Sequence, residues 1–271
     1  SRVLLIRAGT CEALTDALKQ HGSAAGTAEQ ACAAMWKLAL TDDNRALLGN
    51  AGACEVVVAT LQQHVCVAET AQQACAAIWS LAAGNDDSRA MLARAGACEA
   101  VVAALKQPLP LATVTGDACG AIWNLAVKDD YRKLLDQGGA CEAVVAALKQ
   151  HLSVVEVAKN ACGAIWQLAY FNYEVKLTLG RAGACEAVVA ALQQHVAVTR
   201  MARPACGAIV RLASATSNEQ PLVDAGACEA VAGLLQQHPD NATVAEWACF
   251  AILELVQKSS CRTQLVRVLP L

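Results

Sequence analysis

A nine-residue phrase, Ala-Cys-Gly-Ala-Ile-Trp-Asn-Leu-Ala at residues 118–126, recurs along this chain at a nearly constant interval. It returns at 31–39, 74–82, 161–169 and 205–213, and more loosely at 248–256. Anchored on Trp123, the equivalent positions are Trp36, Trp79, Trp166, Val210 and Leu253, separated by steps of 43, 44, 43, 44 and 43 residues. A second phrase, Ala-Gly-Ala-Cys-Glu, keeps the same interval at 51–55, 95–99, 182–186 and 225–229, with near matches at 8–12 and 138–142. A period of this length marks a stack of small helical units, each burying its apolar face against the next. The chain is therefore expected to form a single array over residues 1–271. Its repeats fall at about 1–43, 44–87, 88–130, 131–174, 175–217 and 218–261, followed by a partial helix at 262–271.

Composition fits that reading and removes several others. Hydrophobic residues make up 56% of the chain, but Glu, Lys, Gln or Asp interrupts every run before the ~18–20 residues a membrane helix needs. No membrane association and no signal peptide are expected. With a net charge of −3 and no run of Lys or Arg to follow a phosphate backbone, nucleic acid is not an expected partner. Twelve of the 14 cysteines occupy two fixed positions of the repeat. One series is Cys11, Cys54, Cys98, Cys141, Cys185 and Cys228, and the other is Cys32, Cys75, Cys119, Cys162, Cys206 and Cys249. Only Cys66 and Cys261 fall outside the register. There is no C-x-x-C and no short Cys/His pair, so these are expected as reduced core thiols of a cytoplasmic or nuclear protein, with no metal and no cofactor.

Each repeat divides into three helical pieces. A short first helix carries Arg45, Arg89 or Arg132 and, three residues on, Leu48, Leu92 or Leu135. A Gly follows, suited to a left-handed turn. The second helix opens with Glu12, Glu55, Glu99, Glu142, Glu186 or Glu229 in its first turn, where a carboxylate complements the helix dipole. It closes on His21, His64, His151, His195 or His238, expected beside the last carbonyls of that helix. The third helix holds the anchor phrase, with Ala118, Ala121, Ile122, Leu125 and Ala126 spaced as one buried stripe.

This grammar resembles the armadillo repeat, the family of importin-α and β-catenin, over essentially the whole chain. The resemblance implies an all-α, right-handed armadillo-type α-solenoid of six three-helix repeats whose third helices line a concave groove. Family members usually hold extended peptide segments there and perform no chemistry. The family's ligand-binding Asn corresponds to Asn124, and in the other repeats to Lys37, Ser80, Gln167, Arg211 and Glu254. Its partner Trp corresponds to Gly120, Ala33, Ala76, Gly163, Gly207 and Phe250. The chain thus lacks the family's regular Asn/Trp ladder.

Positions that vary between repeats are not forced by packing, and they fall together on the third helix. One series is Glu29, Gln72, Gly116, Lys159, Arg203 and Glu246; the next is Gln30, Gln73, Asp117, Asn160, Pro204 and Trp247. The first series and that running from Lys37 to Glu254 lie eight residues apart, on one helical face that is expected to be exposed. The Trp row, Trp36, Trp79, Trp123 and Trp166, stands three residues after a Gly or Ala. Because helical side chains lean over the preceding turn, that small residue leaves room for an indole lying flat and open to a ligand. The alternative is that each indole fills the seam between successive third helices. Lys159, Arg203 and Arg211 precede Glu246 and Glu254, a charge order that suits a ligand with an acidic middle and a basic end. The expected function is a non-enzymatic protein or peptide interaction module, with a structural spacer or an engineered, consensus-like scaffold as the alternative. The ends carry no polar capping helix, so the expectation there is either a fragment of a longer chain or end-to-end self-association.

Overall fold

The structure, a computed structural model, describes residues 9–108, 110–170 and 173–258. The first helix of the first repeat and the partial helix expected at 262–271 lie outside the described residues. The chain packs as two compact units, Ser1–Gly138 and Gly139–Leu271, and the described residues contain helices and no strand.

In the first unit, second, third and first helices alternate from α1 (Thr10–His21) and α2 (Ala25–Leu38) through α3 (Asp42–Asn50) and α4 (Ala53–Gln63). They continue with α5 (Ala68–Ala82), α6 (Asp86–Arg94), α7 (Ala97–Leu105), α8 (Ala112–Leu125) and α9 (Asp129–Gln137). The short helices begin two residues before the expected repeat boundaries at 44, 88 and 131. Asp pairs such as Asp42 and Asp43 occupy their first turn, and the side chains of Thr41 and Asn85 accept the amides of Asn44 and Ser88. Those caps and carboxylates satisfy orphan amides that would otherwise face water alone. The glycine preceding each second helix has φ between 75° and 88°, a conformation that a Cβ would strain.

Burial follows the periodicity. Ala118, Ala121, Ile122, Leu125 and Ala126 are completely buried, as are Leu48, Leu92 and Leu135 from the short helices. The third helices α2, α5 and α8 pack successively against one another. Two of the recurring register Arg residues share a structural task, whereas Arg89 donates instead to the Asn124 carbonyl of the following third helix. Arg45 donates to the Ala39 carbonyl at 2.7 Å, and Arg132 donates to those of Ala126 and Val127 at 2.8 and 2.9 Å. Each guanidinium thus closes the C-terminal end of the preceding third helix, whose last carbonyls have no partner within the helix. Asp42 and Asp129 brace these Arg side chains from one turn away.

Three of the register histidines, His64, His195 and His238, act between repeats and not on their own helix ends. His64 Nε2 donates to the Gly22 carbonyl at 2.6 Å, in the turn that ends the previous second helix. His195 does the same to Leu152 at 2.8 Å and His238 to Val196 at 2.7 Å. A carbonyl can only accept, so Nε2 carries the proton in each.

The second unit repeats the pattern with α10 (Ala140–Gln150), α11 (Val155–Leu168), α12 (Tyr173–Ala182), α13 (Ala184–Gln194), α14 (Ala202–Ala213), α15 (Glu219–Asp224), α16 (Ala227–Gln237) and α17 (Ala242–Val256). Two prolines reshape it. Pro204 and Pro221 each sit third in their helix, where a missing amide hydrogen does no harm. The turns before them, Thr199–Met201 and Thr216–Asn218, are 3-10 helices instead of full α-helical turns.

Eleven of the twelve register cysteines are buried, and none of the described cysteines is in a disulfide. Burial pushes the thiols of Cys32, Cys54, Cys98, Cys119, Cys185 and Cys206 up to about 12. Cys249 departs from that expectation: it holds a register position on α17 but is exposed. Cys66 is also exposed, and Cys261 lies outside the described residues.

Candidate functional site

The variable positions lie on the third helices, and in the first unit α2 and α5 enclose a groove of about 570 Å³. Its walls are the half-buried indoles of Trp36 and Trp79, and its lining includes Gln72, Gln73, Ser80 and Asp117. The Trp36 indole N–H donates to Gln73 Oε1 at 2.9 Å, so the ring is fixed by the next repeat. Leu40, at the end of α2, adds an exposed apolar edge. Two apolar plates flanked by amides and a carboxylate can grip an extended chain, matching its side chains by area and its backbone by hydrogen bonds.

The reason the indoles sit this way differs from the sequence expectation. A Cβ built on Gly120 would lie 2.7 Å from two atoms of the Trp79 ring, and one on Gly207 would lie 2.6 Å from Trp166. The small residue that receives the ring of Trp79, or of Trp166, therefore belongs to the next repeat's third helix, not to the preceding turn of its own. Trp79 and Trp166 occupy the seam between third helices and remain half-buried. Seam-filling and partial exposure occur together.

The second unit presents a different surface. Trp166 meets Trp247 edge-on with ring centroids 5.2 Å apart, and Trp247 meets Phe250 at 6.0 Å. The Arg203 guanidinium lies 5.5 Å from the Trp166 ring and 5.8 Å from that of Trp247. Arg211 stacks on Tyr170 at 4.1 Å. These are cation–π distances, and the planar guanidinium suits them better than an ammonium would.

Other candidate positions separate in the structure. Lys37 is exposed and lies 5.6 Å over the adjacent Trp36 ring. Asn124 Nδ2 donates to the Trp79 carbonyl at 2.9 Å, which commits that donor to the preceding third helix. Lys159 pairs with Glu156 at 2.5 Å, and Glu254 pairs with Lys258 at 3.5 Å. Trp123 and Gln167 are half-buried and Glu246 is exposed. The expected exposure of the variable face fails at Gly116, which is buried.

Tyr170, 54% exposed just after α11, is a surface residue the sequence reading missed. Its counterparts at the same repeat position are Leu40, Ala83, Val127, Ser214 and Gln257. That variation is the signal that would have found it. Among the described residues no group of three or more His, Cys, Asp or Glu side chains is placed to hold a metal ion, and no helix is long and apolar enough to cross a membrane.

Three-helix units stacked on a common interval define an all-α repeat solenoid. The chain folds as an armadillo-type repeat solenoid. It is similar to a designed armadillo repeat protein at 27% identity and a TM-score of 0.74, covering 90% of this chain and 99% of that one. A designed armadillo repeat protein in complex with the peptide (KR)4 aligns at 27% identity and a TM-score of 0.72, with coverage of 90% and 98%. A crystal structure described only as an engineered protein aligns at 26% identity and a TM-score of 0.78, covering 92% and 99%. No family model and no curated protein matches the sequence.

Proposed function

We propose that this chain is a non-enzymatic interaction module that holds a peptide segment, extended or helical, against the faces of its third helices. The observation that carries the reading is the groove between Trp36 and Trp79, an open apolar slot bordered by Gln72, Gln73, Ser80 and Asp117. The variable positions of an otherwise repetitive sequence concentrate on the same helices, which is where selection for a ligand would act. Similar designed proteins include one in complex with a peptide and one designed for modular peptide recognition, which supports the same use of the fold here. The buried cysteines, none of them in a disulfide among the described residues, suit a reducing compartment, the cytoplasm or nucleus.

A second reading, a spacer or consensus-like scaffold with no ligand of its own, is favoured by one observation. The segment Ala-Cys-Glu-Ala-Val-Val-Ala-Ala-Leu occurs unchanged at 97–105, 140–148 and 184–192. A peptide-library selection separates the two. It is run against the intact protein and a Trp36→Ala/Trp79→Ala variant shown to be folded by circular dichroism. A motif enriched only by the intact protein is the expected result; enrichment from neither would favour the spacer.

A further inference from the structure

The third helix α14 of the second unit carries two guanidinium groups, Arg203 and Arg211, eight residues apart and so about 12 Å along one helical face. Both are held by aromatic rings and not by carboxylates. Arg203 lies over Trp166 and Trp247, and Arg211 over Tyr170. Among the described residues neither is salt-bridged, whereas Lys159 and Arg200, at the same end of the helix stack, are both neutralised by Glu156. Arg211 Nε is buried and has no hydrogen-bond partner. A third cation, Lys176 on α12, is close enough to feel Arg211. Burial, and then the Arg211 charge, lower its pKa below the ordinary lysine value, with Glu254 pulling the other way. Stacked guanidiniums keep their N–H edges for a ligand, and crowded cations lower the cost of bringing an anion to them.

We infer that the second unit takes the acidic side chains of an extended peptide, with Arg203 and Arg211 each donating to a carboxylate across α14. The flanking aromatics, Phe250 at 43% and Tyr170 at 54% exposure, offer apolar area beside each charge. The positive tract is confined to one repeat. On α17, Glu246 and Glu254 stand at the positions equivalent to Arg203 and Arg211. A continuous polyanion would meet those carboxylates, whereas a peptide can place acidic residues over α14 and neutral or basic ones beyond. This inference rests on the peptide-module reading and adds the chemistry of the ligand.

The test uses fluorescence anisotropy with three labelled twelve-residue peptides of one backbone pattern, carrying Glu, Lys or Ser at alternate positions, and a single-stranded oligonucleotide of equal length. The whole chain is compared with Arg203→Gln/Arg211→Gln and Arg203→Glu/Arg211→Glu, each checked for native helicity and melting. The expected result is that the intact protein prefers the Glu peptide. Its affinity should fall roughly 5- to 30-fold in the Gln variant, the loss two partly exposed charge pairs imply. The Glu variant should prefer the Lys peptide. A Lys preference in the intact protein, or Glu-peptide binding unchanged by either double substitution, overturns the inference. So does an oligonucleotide that binds as tightly as the Glu peptide. The library selection described above distinguishes the two levels of failure: a motif without acidic residues, still dependent on Trp36 and Trp79, leaves the module and removes only this ligand.

Discussion

In the first unit the indoles of Trp36 and Trp79 border a slot of amides, with Gln73 fixing one ring by its side chain. In the second unit Trp166 lies against another indole and below the Arg203 guanidinium. The backbone beneath is the same: Gly120 receives Trp79 in one unit and Gly207 receives Trp166 in the other. Buried positions repeat because every repeat must bury the same stripe against its neighbour. The outer edges are released from that demand, and there the units diverge from neutral to cationic. A shared scaffold with two finished surfaces is what a ligand read differently along its length requires.

That comparison can be broken at its foundation. If the scaffolds are equivalent, Leu92→Ala in the first unit and Leu179→Ala in the second should each cost about 2–5 kcal/mol, since both side chains are completely buried. Chemical denaturation checks this; a loss in one unit and none in the other would end the equivalence. A smaller effect is expected at the seam. Gly120→Leu and Gly207→Leu should each cost about 1–3 kcal/mol by overpacking, and should shift Trp emission as Trp79 or Trp166 is lifted. Gly233→Ala, in α16 with nothing within 4 Å of the added Cβ, should instead gain about 0.5–1 kcal/mol.

The smallest effect is chemical. The thiolate is the reactive form, so thiols raised to about 12, such as Cys54 and Cys185, remain protonated from pH 7 to 9 and should not label in the folded protein. Cys66 and Cys249, both exposed, should label first. Fast labelling of Cys54 or Cys185 by mass spectrometry would show that its unit opens locally.

The repeat interval made the helices, the glycine turns and the buried stripe of Ala118, Ile122 and Leu125 readable, because each depends on neighbours close in sequence or fixed by period. What was not readable depends on which repeat supplies the partner. Spacing put a small residue one turn before each Trp and suggested an intrahelical fit, but the glycine that receives Trp79 is 41 residues later. The carbonyl that His64 reaches is likewise one repeat earlier. Lys159 looked like part of a basic cluster until Glu156, a turn away, was found against it. The aromatic seats of Arg203 and Arg211 come from α11, the turn after it and α17, and of the three only Trp166 belongs to a repeated row.

The seam between third helices also sets what can be exchanged. Trp79 faces a glycine and Trp166 faces a glycine, while the smaller Val210 is followed one repeat later by Phe250 at the glycine position. Size on one side is traded for size on the other. A segment cut at its sequence boundaries would carry its tryptophan away from the residue shaped to receive it. Shuffled, duplicated or deleted repeats would therefore join well only where the anchor of one repeat and the receiver of the next are complementary in size. The interchangeable part of this protein is a joint shared by two repeats, and the order of its repeats is written into those joints.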